Sequence, residues 1–173
     1  MALYVKEINT PVGTLTMVAK EHKLIRLDFG AWENKQQEII DWCKRYRLPT
    51  VFEYRSRPFE SVEEQLYDYF LGNNNPFEIE YELYGTSFQL KVWDMLSKFV
   101  PYGETRSYQD LAVAIHQPKA VRAIGGAVNK NPLSIIVPCH RIIGKNRRLV
   151  GYGGGLDRKN CLLQLEKNQD YTD

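Results

Sequence analysis

Cysteine is scarce: Cys43, Cys139 and Cys161 are the only three among 173 residues. They are too few and too scattered for a disulfide framework, and no Cys-x-x-Cys pair offers a zinc knuckle, so no metal is expected. Long apolar runs are missing too. No stretch approaches the roughly 18 apolar residues of a membrane span. Met1 to Thr10 show no basic segment followed by an apolar block, so neither an anchor nor a secretory leader is expected. Phosphate-binding Gly-Lys-Ser/Thr loops and dinucleotide fingerprints are also lacking, which argues against a nucleotide cofactor. A soluble, cytoplasmic protein without cofactors is the expectation.

What is present is ordinary for a globular chain: 43% apolar, 12% aromatic and 25% charged residues, enough to build a packed core. The net charge of +2 is small, but it is unevenly spread. Residues 1–85 hold 10 Lys and Arg against 14 Asp and Glu, a net −4, and residues 86–173 hold 13 against 7, a net +6. A basic C-terminal half is attracted to phosphate, although the same excess also suits a solvated surface.

The N-terminal half reads as a small α/β scaffold, residues 1–85. Leu15, Met17 and Ala19 alternate with Thr14, Thr16 and Val18, and Leu24 to Phe29 repeat the pattern after Lys20-Glu21-His22-Lys23, which predicts a hairpin. Helical spacing from Asn34 to about Tyr46 stops before Pro49. A short strand at Val51 to Tyr54, a helix near Ser61 to Phe70 and a half-solvated strand over Phe77 to Tyr84 complete it. Cys43 reads as a core thiol and His22 as a surface imidazole.

Character changes after Gly85. Thr86-Ser87-Phe88-Gln89 has the form of a capping box ahead of Phe88, Val92, Met95, Leu96 and Phe99 at helical spacing. Two short helices, Ser107 to Ile115 and Lys119 to Val128, flank His116-Gln117-Pro118, the outline of a helix-turn-helix. The second is built largely of Ala and Gly around Arg122, which allows either tight packing on the core or close approach to a DNA groove.

The sharpest feature is Ile135-Ile136-Val137-Pro138-Cys139-His140-Arg141-Ile142-Ile143. A Cys and a His stand side by side at the end of what reads as an apolar strand. A thiolate is the reactive form of Cys, and an imidazole in a basic setting lowers the cost of making it. Strand neighbours point to opposite faces, so the pair meets only through a bridging water or a turn after Pro138. Glu166, on a helix from about Arg158 to Lys167, is a candidate to orient the imidazole. Cys161 reads as buried packing, and Lys159 as either a surface charge or a cation beside the pocket.

Pro138-Cys139-His140-Arg141, with Asn131-Pro132 before it and Gly151-Tyr152-Gly153-Gly154-Gly155-Leu156 after it, resembles the O6-alkylguanine-DNA alkyltransferases. The resemblance covers about Thr86 to Lys167, and the hairpin Thr10-Pro11-Val12-Gly13 with the following strands is similar to that family's N-terminal domain. It implies an α+β protein: a ribonuclease-H-like α/β domain, then a winged helix-turn-helix domain, residues 86–173, that carries the reactive Cys. It implies a suicide repair protein, in which Cys139 accepts an alkyl group from O6-alkylguanine, and from O4-alkylthymine, in double-stranded DNA. By the same resemblance His140 is the water-mediated base, Glu166 its orienter, and Asn131 the tie between the reactive turn and the recognition helix. Tyr108 crowds a phosphate and donates to the base. Arg122, with Ala123, Gly125 and Gly126, works in the minor groove from which the nucleotide is flipped. The carbonyls of Cys139 and Ile142 accept from guanine, while Ser134, Tyr152, Gly153 and Lys159 border the pocket. Gly153 and Ser134 stand where relatives carry Ser or Ala and Pro respectively, which implies a roomier pocket. A monomer with no obligate protein partner is implied.

Three other readings use some of these residues. A cysteine hydrolase would use Cys139 and His140 and leave the helix-turn-helix idle. A sequence-specific regulator would want Arg, Asn or Gln where Ala and Gly stand. A lesion-binding relative would lack the acceptor Cys.

Overall fold

The computed structural model describes residues 1–145, 152 and 154–167. The chain divides into two compact units, Met1–Tyr84 and Gly85–Asp173.

The first unit is built on a four-stranded sheet whose strands lie in the order Lys23–Phe29, Gly13–Lys20, Leu3–Thr10, Phe52–Tyr54. Strands β1 (Leu3–Thr10), β2 (Gly13–Lys20) and β3 (Lys23–Phe29) form an antiparallel meander, and β4 (Phe52–Tyr54) adds parallel to β1. The expected hairpin is β2–β3. Strand β1 is the first arm of the hairpin at Thr10–Gly13 and lies between β2 and β4. Helix α1 (Trp32–Arg45) closes one face, setting Ile39 and Cys43, one turn apart, among Leu3, Val5, Val18 and Ile25. Ala31 offers α1 no side-chain cap; the Glu7 carboxylate of β1 accepts the Trp32 N–H instead. Helix α2 (Glu60–Phe70) is tied to the other face of β1, where Lys6 meets Glu63 at 2.7 Å. With helices on both faces, every residue from Leu15 to Ala19 and from Leu24 to Phe29 is buried, as a doubly covered sheet demands.

One expected strand is corrected. Phe77 to Tyr84 forms a single bridge, Leu24 with Tyr81, flanked by bonds of Leu24 to Glu80 and Glu82. Glu78 instead spends its N–H on the Gln65 side chain, so the segment runs alongside α2 before it reaches β3.

The second unit opens with α3 (Ser87–Phe99), and the capping box is formed as the sequence predicts: Gln89 N–H donates to the Thr86 hydroxyl, and the Gln89 side chain accepts the Thr86 N–H. Helix α4 (Tyr108–Ala114) starts with a second box, Ser107 with Asp110. After a turn in which His116 takes φ +62°, α5 (Val121–Asn129) packs Ile124, Ala127 and Val128 inward. The Trp93 indole of α3 donates to the Ala127 carbonyl at 2.8 Å, locking α3 to α5. A Cβ at Gly85 would lie 2.5 Å from the Trp93 ring, which is why the second unit begins on a glycine. Short strands β5 (Arg106–Ser107) and β6 (Ile142–Ile143) pair in parallel, and α6 (Leu156–Lys167) follows.

Candidate active site in the helix-turn-helix unit

The expected strand ahead of Cys139 is absent. Ile135 adopts φ +72°, Val137 N–H closes a turn onto Leu133 O, and Cys139–Arg141 form one turn of 3₁₀ helix. Pro138 lacks an N–H and sits where a strand would need its ladder. Cys139 and His140 are therefore presented from a turn.

Asn131 is the clasp of this turn. Its Nδ2 donates to Val137 O at 2.8 Å and lies 3.0 Å from Cys139 Sγ, while its Oδ1 accepts the Leu133 N–H at 3.0 Å. Because Asn131 follows the end of α5, one amide joins that helix to the thiol.

Behind the thiol is a dry polar chain. His140 Nε2 lies 2.7 Å from Glu166 Oε1 of α6, and both side chains are essentially inaccessible. His140 Nδ1 has no hydrogen-bond partner among the described residues. Arg141 donates Nε to Glu166 Oε2 and Nη2 to Glu166 Oε1, each at 3.0 Å, and Nη1 to Val100 O at 2.9 Å.

Burial dominates the titration of these groups. Burial pushes the Cys139 thiol up, opposed by hydrogen bonds from Asn131 and Tyr152 and by the charge of Lys159. It pushes His140 down, with Glu166 opposing and Arg141 and Lys159 reinforcing. For Glu166 burial alone would raise the carboxyl, yet His140 and Arg141 outweigh it and hold it at about 2. Lys159 is brought down to about 8 by burial. The Tyr108 hydroxyl is raised by burial and by the neighbouring thiol.

Lys159, left open between surface and pocket, is buried. Its ammonium donates to Ile142 O and lies 6.0 Å from the Tyr108 ring centroid and 5.9 Å from that of Tyr152. Cys139, His140, Glu166, Asn131, Lys159, Ile142, Tyr108 and Tyr152 thus converge. The Ile142 carbonyl proposed for guanine already holds an ammonium, and the Cys139 carbonyl accepts the Ile142 N–H. Ser134 is half-buried in the same turn. Gly153 lies outside the described residues. Arg122, Ala123 and Gly126 occupy the exposed side of α5, with Gly125 half-buried. A Cβ at Gly125 or Gly126 would meet nothing within 4 Å, so core packing does not explain these small residues. Cys161 is corrected: it is exposed, because α6 turns Lys159, Leu162 and Glu166 inward and leaves position 161 outside.

Arg141 escaped the sequence reading. Its signal was there in a plain form: an arginine within Ile135–Ile143 can enter a core only with its charge matched.

A helix-turn-helix with a bare outer face, built around a buried thiol and an imidazole–carboxylate pair, defines a DNA-binding protein equipped for nucleophilic group transfer. Family models agree on both units: residues 3–83 match the 6-O-methylguanine DNA methyltransferase ribonuclease-like domain, and residues 87–168 match the DNA-binding domain of the same enzyme. The chain belongs to the 6-O-methylguanine DNA methyltransferase family. It is 39% identical to the methylated-DNA–protein-cysteine methyltransferase of Methanosarcina barkeri, over 96% of this chain and 98% of that one. With the Haemophilus influenzae protein of the same name the identity is 42%, over 96% and 87%. The crystal structure of Mycobacterium tuberculosis OGT in complex with DNA superposes with a TM-score of 0.83 at 38% identity, covering 96% of this chain and 94% of that one.

Proposed function

We propose that this protein repairs double-stranded DNA by moving the alkyl group of O6-alkylguanine onto Cys139 Sγ, once per molecule. The observation that carries the reading is the placement of Cys139: a buried sulfur 3.0 Å from the Asn131 amide, on the same turn as an imidazole whose far nitrogen is anchored by Glu166. In the reaction the S–C bond forms as the C–O6 bond breaks. The thiol proton passes toward His140 Nδ1 through a water, and guanine leaves as its anion to be protonated. Tyr108, at the N-terminus of α4, is suitably typed to donate to the departing base. The thioether product has no ready reversal, so turnover stops at one. This scheme needs neither metal nor cofactor.

The remaining assignments follow from the same reading. Arg122 enters the stack from the minor groove while Ala123, Gly125 and Gly126 let α5 approach the backbone, and the nucleotide swings out to reach a sulfur it could not meet inside the duplex. Residues 1–85 act as scaffold and 86–173 as the reacting domain. The small residues at positions 134 and 153 suit acceptance of groups larger than methyl, with Ser134, Ile142, Tyr152 and Lys159 beside the alkyl group, and O4-alkylthymine is a second substrate. The protein works as a cytoplasmic monomer, without a membrane or an obligate protein partner.

Incubating the protein with a radiolabelled methylguanine duplex tests this reading. One equivalent of label on Cys139 is expected; label elsewhere, or none, overturns it. Benzyl and methyl adducts compared with Gly153→Ser and Ser134→Pro test the pocket. An unchanged rate ratio in both variants sinks that part.

A further inference from the structure

The carboxylate of Glu166 is shared. Oε1 lies 2.7 Å from His140 Nε2 and accepts from Arg141 Nη2, and Oε2 accepts from Arg141 Nε. A carboxyl gripped by a bidentate guanidinium is held in its ionised form, and an ionised carboxylate can only accept. The guanidinium is itself fixed. Nη1 is bound to the carbonyl of Val100, the C-cap of α3, and Cζ lies 5.6 Å from the Tyr102 ring centroid.

We infer that Arg141 is a positioning residue for alkyl transfer: by its bidentate grip it keeps Glu166 ionised and so unable to donate, which forces His140 into the tautomer that carries its proton on Nε2 and leaves Nδ1 as the lone pair available to the thiol. The two ring nitrogens are otherwise free to exchange roles, and an Nδ1–H tautomer would present the sulfur with a donor and no base. Nδ1 is the buried nitrogen that lacks a partner among the described residues, as a proton acceptor in waiting should.

Arg141 has a second consequence, through charge. A lone buried carboxylate against an imidazole would favour a resident imidazolium, which cannot take a proton. Among the described residues, the charged and titratable groups around His140 are Cys139 and Arg141 on its own turn, with Glu166 and Lys159 from α6. Arg141 offsets Glu166, so the ring stays neutral until the thiol gives up its proton.

The rate readouts rest on Cys139 being the alkyl acceptor; the tautomer readout does not. In wild-type protein with 15N-labelled histidine, NMR between pH 6 and 8 is expected to show His140 with Nε2 protonated and Nδ1 bare. In Arg141→Met the ring is expected to become imidazolium or a mixture of tautomers. The acid limb of single-turnover transfer should move up by about one pH unit, and the rate at pH 7 should fall about a hundredfold. Arg141→Lys keeps the charge without the fork: its acid limb should stay near the wild-type position while its rate stays about tenfold low. A folded Arg141→Met protein with the wild-type tautomer and an unmoved acid limb would reduce Arg141 to a structural strut and overturn the inference. So would an Nδ1–H tautomer in wild type. If Arg141→Met does not fold, the wild-type spectrum and the Lys variant decide. If no variant and no wild type transfers alkyl groups, the functional reading fails while the NMR still settles the tautomer.

Discussion

The two units each bury a cysteine and an arginine–carboxylate fork, and they use them differently. In the first, Arg26 donates Nε and Nη2 to Asp28, at 3.0 and 2.5 Å, reaches Glu38 at 3.3 Å and covers the Trp42 ring at 4.9 Å. Among the described residues, Asp28 passes this contact on to no catalytic side chain. In the second, Glu166 hands its fork on to an imidazole, and the turn bearing that imidazole bears the thiol. Burial pushes the Cys43 thiol to about 11, with only the charge of Arg26 opposing it. Cys139 is buried as deeply but has Asn131, Tyr152 and Lys159 acting to favour its anion. A buried thiol is inert by default, and directed donors make it a nucleophile.

The sharpest way to break this contrast is to remove each thiol in turn. Cys139→Ser should abolish alkyl uptake while DNA binding by gel shift is retained. Cys43→Ala should keep one equivalent of uptake and cost about 1–2 kcal/mol in urea unfolding. Uptake by the Ser variant would show that burial and not its donors sets reactivity. Next in size is Glu166→Gln. A side-chain amide can donate to Nε2 and would reverse the imidazole, so transfer should slow by at least about a hundredfold under single-turnover conditions.

Protonation gives a smaller test, in which stability should rise with pH in two separate windows. Glu166 falls from 4.5 to about 2 on folding. Its stabilisation is complete above pH 4.5 and is lost as pH drops toward 2, and the Gln variant should lack that part of the acid decline. Lys159 falls from 10.5 to about 8. The unfolded chain then binds the extra proton, so stability should rise between pH 8 and 10.5, and Lys159→Met should flatten the rise in chemical denaturation. The smallest effect concerns the bare face of α5. Gly126→Ala should stabilise the fold by about 0.5–1 kcal/mol, since its Cβ enters open space, and should weaken DNA binding if that face meets the duplex. Unchanged affinity would remove α5 from the interface.

The helices and their caps were legible because their causes are local. Thr86 with Gln89 and the spacing after it are written in adjacent residues. The strand read over Phe77 to Tyr84 failed because alternation is also what a segment spending its N–H groups on a Gln side chain can display. At the reactive turn, apolar β-branched residues argued for a strand, and Pro138 together with the left-handed Ile135 overrode them. Cys161 was misplaced because α6 buries a lysine and a glutamate, Lys159 and Glu166, which hydrophobic patterning assigns to solvent. Polar residues that fold inward to serve a site invert the pattern from which faces are read.

The exposure of Cys161 gives this helix a ready handle. A maleimide fluorophore will find that sulfur first, since Cys43 and Cys139 are buried, and no engineering is needed to install it. The dye then rides on the element that holds both Glu166 and Lys159. Its emission can follow, in real time, how α6 responds when the sulfur below it acquires a carbon.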